Sequence, residues 1–153
     1  MSKNKGTVLL VDDETGVRQI LAEMLTSYDY NVLDAEDYYT ALQAAESHNF
    51  RIDLLLTDIS LPGLNGCELA RKLLQYHPKL KVLLISGYTG AEICQYYGVE
   101  LGDLHFLAKP FSSAALFHRL QVLLAGGEPY PASLAPLRKT FSAGGSETEV
   151  AGL

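Results

Sequence analysis

Five short apolar runs, separated by stretches in which apolar residues recur at helical spacing, constrain the fold of this chain more than any other feature. Continuous apolar runs of this length are typical of strands buried on both faces of a parallel sheet. Alternating strands and helices predict a doubly wound α/β domain, with right-handed crossovers that place helices on both faces. The predicted strands cover residues 7–11, 31–35, 52–57, 81–85 and 104–107.

The predicted helices follow from apolar residues that recur every three or four positions. In the first helix these residues are Val17, Ile20, Leu21, Met24 and Leu25. The later helices cover residues 38–48, 67–76, 91–97 and 112–125. Ser112 or Ser113 is expected to cap the last helix, because serine hydroxyls accept hydrogen bonds from the first N–H groups of helices.

Length and composition predict one domain followed by a tail. A chain of 153 residues with 48% hydrophobic residues can bury a core of ordinary size. After Gly126 the sequence becomes rich in proline, glycine and serine, which is typical of a linker or flexible tail. We therefore expect a polar lead-in over residues 1–6, a domain over 7–125 and a tail over 126–153.

Net charge and cysteine spacing narrow the classes of function. A net charge of −6 argues against a general nucleic-acid-binding surface. No apolar run approaches the length that spans a bilayer, so we expect a soluble, cytoplasmic protein without a membrane partner.

Cys67 and Cys94 have neither CxxC nor metal-ligand spacing, and the sequence shows no secretory signal. Two reduced, part-buried thiols are therefore expected rather than a disulfide.

Polar side chains follow four of the five predicted strands. They are Asp12 and Asp13 after the first strand, Asp58 at the end of the third, Ser86 after the fourth and Lys109 after the fifth. The carboxyl ends of parallel strands lie along one edge of a sheet, where open α/β sheets bind their ligands. We therefore expect these five side chains to lie close together.

The three acids in this group predict a metal site. Carboxylates that lie close together repel one another unless a cation compensates their charge. Mg²⁺ is the natural cation, because it prefers oxygen ligands and keeps waters and phosphate oxygens in its shell. Asp13 and Asp58 are expected as direct ligands with a backbone carbonyl near Ser60, and Asp12 is expected to act through a water.

The remaining two groups suit an anion that joins the metal. The hydroxyl of Ser86 and the ammonium of Lys109 would both face this anion. A phosphoryl group fits the arrangement, because the metal and the ammonium neutralise its oxygens. A carboxylate oxygen of Asp58 could then attack the phosphorus in line.

These motifs resemble those of the receiver domain of bacterial two-component response regulators, the CheY-like domains. The matching stretches are Asp12-Asp13-Glu14, DISLPGLNG from Asp58 onward, Ser86-Gly87 and Lys109-Pro110-Phe111. The resemblance covers residues 7–125 and implies a flavodoxin-like sheet with strand order 2-1-3-4-5. The long link at residues 98–103, together with ISGYT at 85–89, is similar to receivers attached to hybrid sensor kinases.

The resemblance also implies a role for each strand-end residue. Asp58 would be the phosphoacceptor, and Asp12 and Asp13 would be the acid pair for Mg²⁺. Ser86 would be a switch hydroxyl, and Lys109 would pair with the phosphate. The domain would thus be a signalling module that catalyses only its own phosphorylation and dephosphorylation.

The implied partners are a sensor histidine kinase or a histidine phosphotransfer protein, which donates the phosphoryl group, and a downstream target.

Phe106, three residues before the lysine, would act as an aromatic switch. Tyr96, Tyr97, Phe117 and Val122 are not all expected to face inward, because neighbouring leucines fill the core. Exposed aromatics on the face of the fourth helix, fifth strand and last helix predict a surface for a target or a homodimer, unless the tail covers them. The sequence leaves open whether this receiver stands alone or belongs to a hybrid kinase.

Less specific interpretations stay open for single residues and for the whole chain. Asp12 or Asp13 alone could cap the first helix, and Asp58 could close a turn. A receiver-like adaptor that works without phosphorylation is one alternative, although its usual mark, a lost acid or lysine, is missing. A phosphatase with an aspartate nucleophile is another, but Ser60 replaces the second acid of its DxDx(T/V) motif. The coincidence at four strand ends favours the receiver.

Overall fold

The computed structural model describes residues 4–87, 90–98, 101 and 105–125. Over these residues five strands alternate with five helices. The strands are β1 (Thr7–Val11), β2 (Asn31–Ala35), β3 (Leu54–Asp58), β4 (Lys81–Ser86) and β5 (Phe106–Ala108). The helices are α1 (Thr15–Ser27), α2 (Tyr38–Ser47), α3 (Gly66–Tyr76), α4 (Gly90–Tyr96) and α5 (Ser113–Ala125).

The strands form one sheet in the order β2-β1-β3-β4-β5, and each neighbouring pair is parallel. The predicted doubly wound class and the flavodoxin-like order are therefore confirmed. Within the sheet, Asp58 pairs in register with Ile85, and Ser86 pairs with Ala108. The carboxyl ends of β1, β3, β4 and β5 consequently lie side by side at one edge.

The core has two parts, one on each face of the sheet. Successive side chains of a strand point to opposite faces, so a strand covered on both sides must be apolar at every position. In β1, Leu9 and Val11 pack with α2 and α3, whereas Val8 and Leu10 pack with α1 and α5. This double burial explains why the strands are continuous apolar runs rather than alternating ones.

Side-chain caps begin two of the helices that flank the site. At α3, the Asn65 side chain accepts from the Glu68 backbone N–H at 2.9 Å, and the Glu68 carboxylate accepts from the Asn65 N–H at 2.8 Å. At α5, the Ser112 hydroxyl oxygen accepts from the Ala115 N–H at 3.0 Å. Of the two serines predicted as caps, Ser112 therefore has this role.

The predicted element bounds differ from the observed ones by one or two residues. Strand β5 covers Phe106–Ala108 rather than 104–107, and α4 covers Gly90–Tyr96 rather than 91–97. Element ends fray, so differences of this size are ordinary. The predicted tail at 126–153 lies outside the described residues, and the domain limits stay a prediction.

The aromatic surface is smaller than the sequence suggested. Phe117 is buried, because the ring of Tyr28 stacks on it with 3.4 Å between the ring centroids. Tyr96 is 83% exposed, Tyr97 is also exposed, and Val122 is half-buried. The leucines expected to face inward are buried: Leu116, Leu120 and Leu123. The expectation that these four side chains do not all face inward is confirmed: Phe117 is the buried one, and the two tyrosines are exposed.

The cysteines differ most from expectation. A disulfide joins Cys67 of α3 to Cys94 of α4, so the prediction of two reduced thiols is wrong for this structure. The two helices follow neighbouring strands and pack on the same face of the sheet, which brings residues 27 positions apart together. Sequence spacing alone does not reveal such a contact between helices.

No helix in the described part of the chain combines the length and the apolar character that a membrane crossing requires.

Candidate functional site

Asp58 lies at the centre of the strand-end edge. It is the last residue of β3 and is 7% exposed. The ammonium of Lys109 donates to its Oδ2 at 2.8 Å, and the backbone N–H of Ser60 donates to its Oδ1 at 3.0 Å. The backbone N–H of Lys109 also donates to the Ser86 carbonyl at 2.9 Å. The chain segments after β3, β4 and β5 are thereby joined around one carboxylate.

The Asp58 loop is held tightly by Gly66, the first residue of α3. The Gly66 N–H donates to the Ile59 carbonyl at 2.9 Å. A Cβ on Gly66 would overlap the Asp58 carbonyl oxygen and lie 3.0 Å from the Ile59 Cα. Only a residue without a side chain allows this approach. The hydroxyl of Thr57 also donates to the Asp58 carbonyl at 2.9 Å, which further fixes the strand end.

Asp12 is a buried carboxylate beside this centre. It directly follows β1 and is 3% exposed, and its Oδ1 accepts from the Glu14 backbone N–H at 2.8 Å. Burial raises its pKa above the ordinary value, and the charges of Asp58 and Asp13 raise it further. The Glu14 hydrogen bond and the Lys109 charge oppose this rise without cancelling it. The charged form of Asp12 is therefore incompletely compensated by the protein itself.

The other predicted site residues lie around these two acids. Asp13 and Ser60 are exposed, and Ser86 is buried at the end of β4. Asp13 is close enough for its charge to raise the Asp12 pKa. Phe106, at the start of β5, is half-buried against the α2–α3 face of the core. The strand ends thus bring the acids, the hydroxyl and the lysine to one edge. Phe106 pairs with Leu84 of β4, two residues before Ser86.

Lys109 is the fixed cation of this edge. Its pKa is raised, first by the hydrogen bond to Asp58 and then by the charges of Asp58, Asp12 and Glu14, against the opposing effect of burial. The ammonium therefore stays protonated throughout the neutral range. Lys109 consequently supplies a permanent positive charge beside the Asp58 carboxylate.

Arg18 of α1 is a residue that sequence reasoning missed. Its Nη1 donates to the Asp12 carbonyl at 2.6 Å, and its Nε pairs with Asp34 Oδ2 at 3.1 Å. The planar guanidinium suits such a two-pronged contact. Arg18 therefore ties the loop that carries Asp12 to the end of β2. The position of Arg18 in the first turn of a helix that follows two acids was the feature of the sequence that could have indicated this contact.

The alternative interpretations of single residues can be compared with these contacts. The first helix is capped at Glu14, without a side-chain hydrogen bond, so neither Asp12 nor Asp13 caps it. Asp58 does accept from the N–H two residues on, as a turn residue would. Its second oxygen is bonded to Lys109, which lies 51 residues away, and a local turn does not require this contact.

The donor groups fit Mg²⁺ in chemical type. In the ranges that the structure describes, no three carboxylate, imidazole or thiol groups are already arranged to hold a metal ion. Mg²⁺ does not require such a cage, since it is usually bound through one or two carboxylates together with waters and phosphate oxygens. The acids offer only oxygen, and Asp12 is a buried carboxylate whose charge the protein leaves incompletely compensated.

Comparison with known proteins agrees with this geometry. The family model of the response regulator receiver domain matches residues 8–121. The chain belongs to this family. Receiver domains of this family are signalling domains of two-component systems, as the sequence motifs implied.

Individual relatives have the same domain in different contexts. The transcriptional regulatory protein CpxR of Escherichia coli is 34% identical over 117 residues, which is 76% of this chain and 48% of CpxR. The chain therefore spans about half the length of this relative. The crystal structure of the receiver domain of the hybrid histidine kinase CckA is 36% identical with a TM-score of 0.64, and the match covers 78% of this chain and 99% of that one.

A third relative carries ligands of the kind expected here. The CheX–CheY–BeF₃–Mg²⁺ complex of Borrelia burgdorferi contains a chain that is 25% identical with a TM-score of 0.65. The match covers 76% of this chain and 87% of that one.

Proposed function

We propose that the chain is a phosphoacceptor receiver of a two-component phosphorelay, and that Asp58 accepts the phosphoryl group. The observation that carries this proposal is the Asp58 carboxylate itself. It is almost fully buried, yet it lies at the open edge of the sheet with one oxygen on the Lys109 ammonium. A charge-assisted pair at a strand end supplies both a nucleophile and a cation for the incoming phosphate.

The proposed reaction transfers the phosphoryl group from a phosphohistidine. An Asp58 oxygen attacks phosphorus while the P–N bond to histidine breaks, which leaves an acyl phosphate on Asp58 and a free imidazole on the donor. Lys109 then pairs with the phosphoryl oxygens, and the hydroxyl of Ser86 donates to them. Asp12, Asp13, Asp58 and the Ser60 carbonyl are the proposed groups that hold Mg²⁺. When bound, this ion neutralises the phosphoryl oxygens during transfer.

The new phosphate is proposed to change a surface of the domain. A phosphoryl group adds about −1.5 to −2 charge and three acceptor oxygens. Ser86 and Phe106 lie on neighbouring strands, so movement of the hydroxyl toward the phosphate alters the space beside the Phe106 ring. The affected face is formed by α4, β5 and α5. A downstream protein or a second copy of the chain would distinguish the two states by differential binding.

The proposed partners are a sensor histidine kinase or a histidine phosphotransfer protein, together with that downstream target. The proposed location is the cytoplasm. The adaptor without phosphorylation is the less favoured alternative, because the acids, hydroxyl and lysine are all present at the edge. The phosphatase is less favoured still, because Ser60 lies where its second acid would be needed.

Intact mass spectrometry after incubation with Mg²⁺ and acetyl phosphate tests the proposal. One added phosphoryl group is expected on the wild type and none on Asp58→Asn. Asp29→Asn is a matched control, because Asp29 lies in a turn with φ of 70° that asparagine tolerates. It should gain the phosphoryl group as the wild type does. Absence of the adduct from the wild type, together with failure to bind beryllofluoride and Mg²⁺, would favour the adaptor.

A further inference from the structure

The disulfide between Cys67 and Cys94 lies on the path that connects the proposed phosphorylation site with the partner face. Cys67 directly follows Gly66, which packs against the backbone of Asp58. Cys94 lies in α4, the helix that follows the loop after Ser86. The bond therefore links α3, the helix that follows Asp58 in the chain, to α4, the helix that follows Ser86. A contact at this position can influence both.

The backbone positions suit a disulfide without rearrangement. The Cα atoms of Cys67 and Cys94 are 5.1 Å apart. Disulfides usually span Cα separations of about 4.4–6.8 Å. Neither side chain is accessible to solvent. A reagent can therefore reach these sulfurs only if one of the two helices moves.

Helix α4 is the shorter of the two helices that the disulfide joins. It has seven residues, and helices this short are not stable on their own. Of its side chains described by the structure, which are those of residues 93–96, Cys94 is buried and its neighbours Ile93 and Tyr96 are exposed. By contrast, α3 has a reciprocal cap and several buried apolar side chains. Among the side chains of residues 93–96, the buried one is therefore the one that the bond to Cys67 joins to α3.

We propose that Cys67 and Cys94 form a redox-reversible modification site whose disulfide fixes α4 against α3, and whose reduction releases α4. The effect on signalling rests on the proposed function, because α4 belongs to the proposed partner face. Disulfides in reducing compartments are usually redox-sensing or catalytic rather than permanent. A reversible bond is therefore the form expected for a cytoplasmic receiver.

The chemistry requires a small disulfide as oxidant and a small thiol as reductant, such as the two forms of glutathione. In oxidation, one cysteine thiolate attacks the small disulfide, forms a mixed disulfide and releases one thiol. The second cysteine attacks the protein sulfur of that mixed disulfide, closes the Cys67–Cys94 bond and releases the second thiol. Two electrons thus pass from the protein to the small disulfide, and the two cysteine protons end on the released thiols. Reduction is the reverse sequence.

Hydrogen exchange of the α4 end tests the proposal without phosphorylation. The Tyr97 N–H donates to the carbonyls of Ile93 and Cys94 at 3.2 and 3.1 Å, and the Gly98 N–H donates to Gln95 at 3.0 Å. These amides are protected only while α4 is wound. Reduction of the wild type is expected to accelerate their exchange at least tenfold. Amides of β2, remote from α4 in the sheet, should not change.

The redox state is measured in parallel by alkylation of the unfolded protein with N-ethylmaleimide. After equilibration with oxidised glutathione, no adduct is expected, and after equilibration with reduced glutathione, two are expected. Cys94→Ala is the control whose Tyr97 exchange should not respond to either form. Two adducts after oxidation, or equal Tyr97 exchange in both states of the wild type, would overturn the proposal. A redox-dependent α4 in a protein that takes no phosphate would instead refute the proposed function alone.

Discussion

Replacing Gly66 by alanine should displace the backbone of the phosphoacceptor Asp58, against which Gly66 packs. The added Cβ would lie 3.0 Å from the Ile59 Cα and 3.1 Å from the Asp58 carbonyl carbon, and it would overlap the Asp58 carbonyl oxygen. Carbon atoms prefer separations of about 3.5–4.0 Å. All three neighbours are backbone atoms, so no side-chain rotation relieves the clash. The end of β3 or the start of α3 must move by roughly half an ångström or more.

The expected cost is that of an overpacked core. Such substitutions typically destabilise by about 1–3 kcal/mol. For a domain of this size each kcal/mol lowers Tm by about 4 °C, so a fall of about 4–12 °C is expected. The rate of phosphorylation should also fall, because the displaced backbone carries the Asp58 carboxylate that Lys109 holds. Calorimetry measures the fall in Tm, and a time course of intact mass measures the rate of phosphorylation.

Gly16→Ala is the matched control for this substitution. Gly16 lies in α1, and a Cβ there would meet no atom within 4 Å. Alanine is better than glycine inside a helix by about 0.8–1.0 kcal/mol, so this variant should be as stable as the wild type or more stable. A Gly66→Ala protein whose Tm and phosphorylation rate matched those of Gly16→Ala would refute the argument that close backbone approach positions Asp58.

Three further predictions concern single charges. Lys109→Met should slow phosphorylation by roughly ten- to a hundredfold, as loss of a charge-stabilising donor does. It should also lower stability, because it leaves the buried Asp58 carboxylate beside Asp12 without its cation. A time course of intact mass measures the first effect, and urea unfolding measures the second. Asp12→Asn should stabilise the metal-free protein at pH 7. Because the folded pKa of Asp12 is raised above 3.8, the wild type loses stability as pH rises from 3.8 through that pKa, whereas the variant does not. The Tm values of the two proteins, measured against pH in a chelator, should differ at neutral pH and agree below pH 3.8, the pKa of the carboxyl in the unfolded chain. A wild type more stable than the variant at pH 7 would contradict this prediction. Asp37→Ala should cost about 1 kcal/mol in urea unfolding through loss of the α2 cap. The Thr40 N–H holds the pKa of Asp37 below 3.8, so the part of this contribution that needs the ionised carboxylate should be constant above pH 3.8 and be lost as pH falls through the lowered pKa.

The sheet and its order of elements were predictable because burial on both faces leaves a continuous apolar run. Such runs ended at Asp12, Asp58 and Ser86, which also located the edge that carries the site. The bounds of β5 were less certain, since this strand has only three residues and little apolar sequence to define it. The strand order itself came from family resemblance, because alternation alone does not specify it.

Contacts between helices were the features that the sequence did not reveal. The Cys67–Cys94 disulfide depends on the packing of α3 beside α4, which leaves no local spacing signal. Phe117 lies on a helix that is apolar on most sides, so its periodicity could not show that Tyr28 covers it. The contact of Arg18 with the Asp12 carbonyl likewise joins a helix to a loop, although its position after two acids was a usable sign.

The most direct measurement of the central claim is to locate the phosphoryl group. The wild type is incubated with acetyl phosphate and Mg²⁺, treated with borohydride to reduce any acyl phosphate to an alcohol, and then cut with trypsin after its thiols are reduced and alkylated. The peptide from Ile52 to Arg71 contains two acids that precede the α3 cap, Asp53 and Asp58, so one is an internal control for the other. The account predicts homoserine at Asp58 and unchanged aspartate at Asp53. Homoserine at Asp53 or at any other aspartate, with Asp58 unchanged, would contradict it.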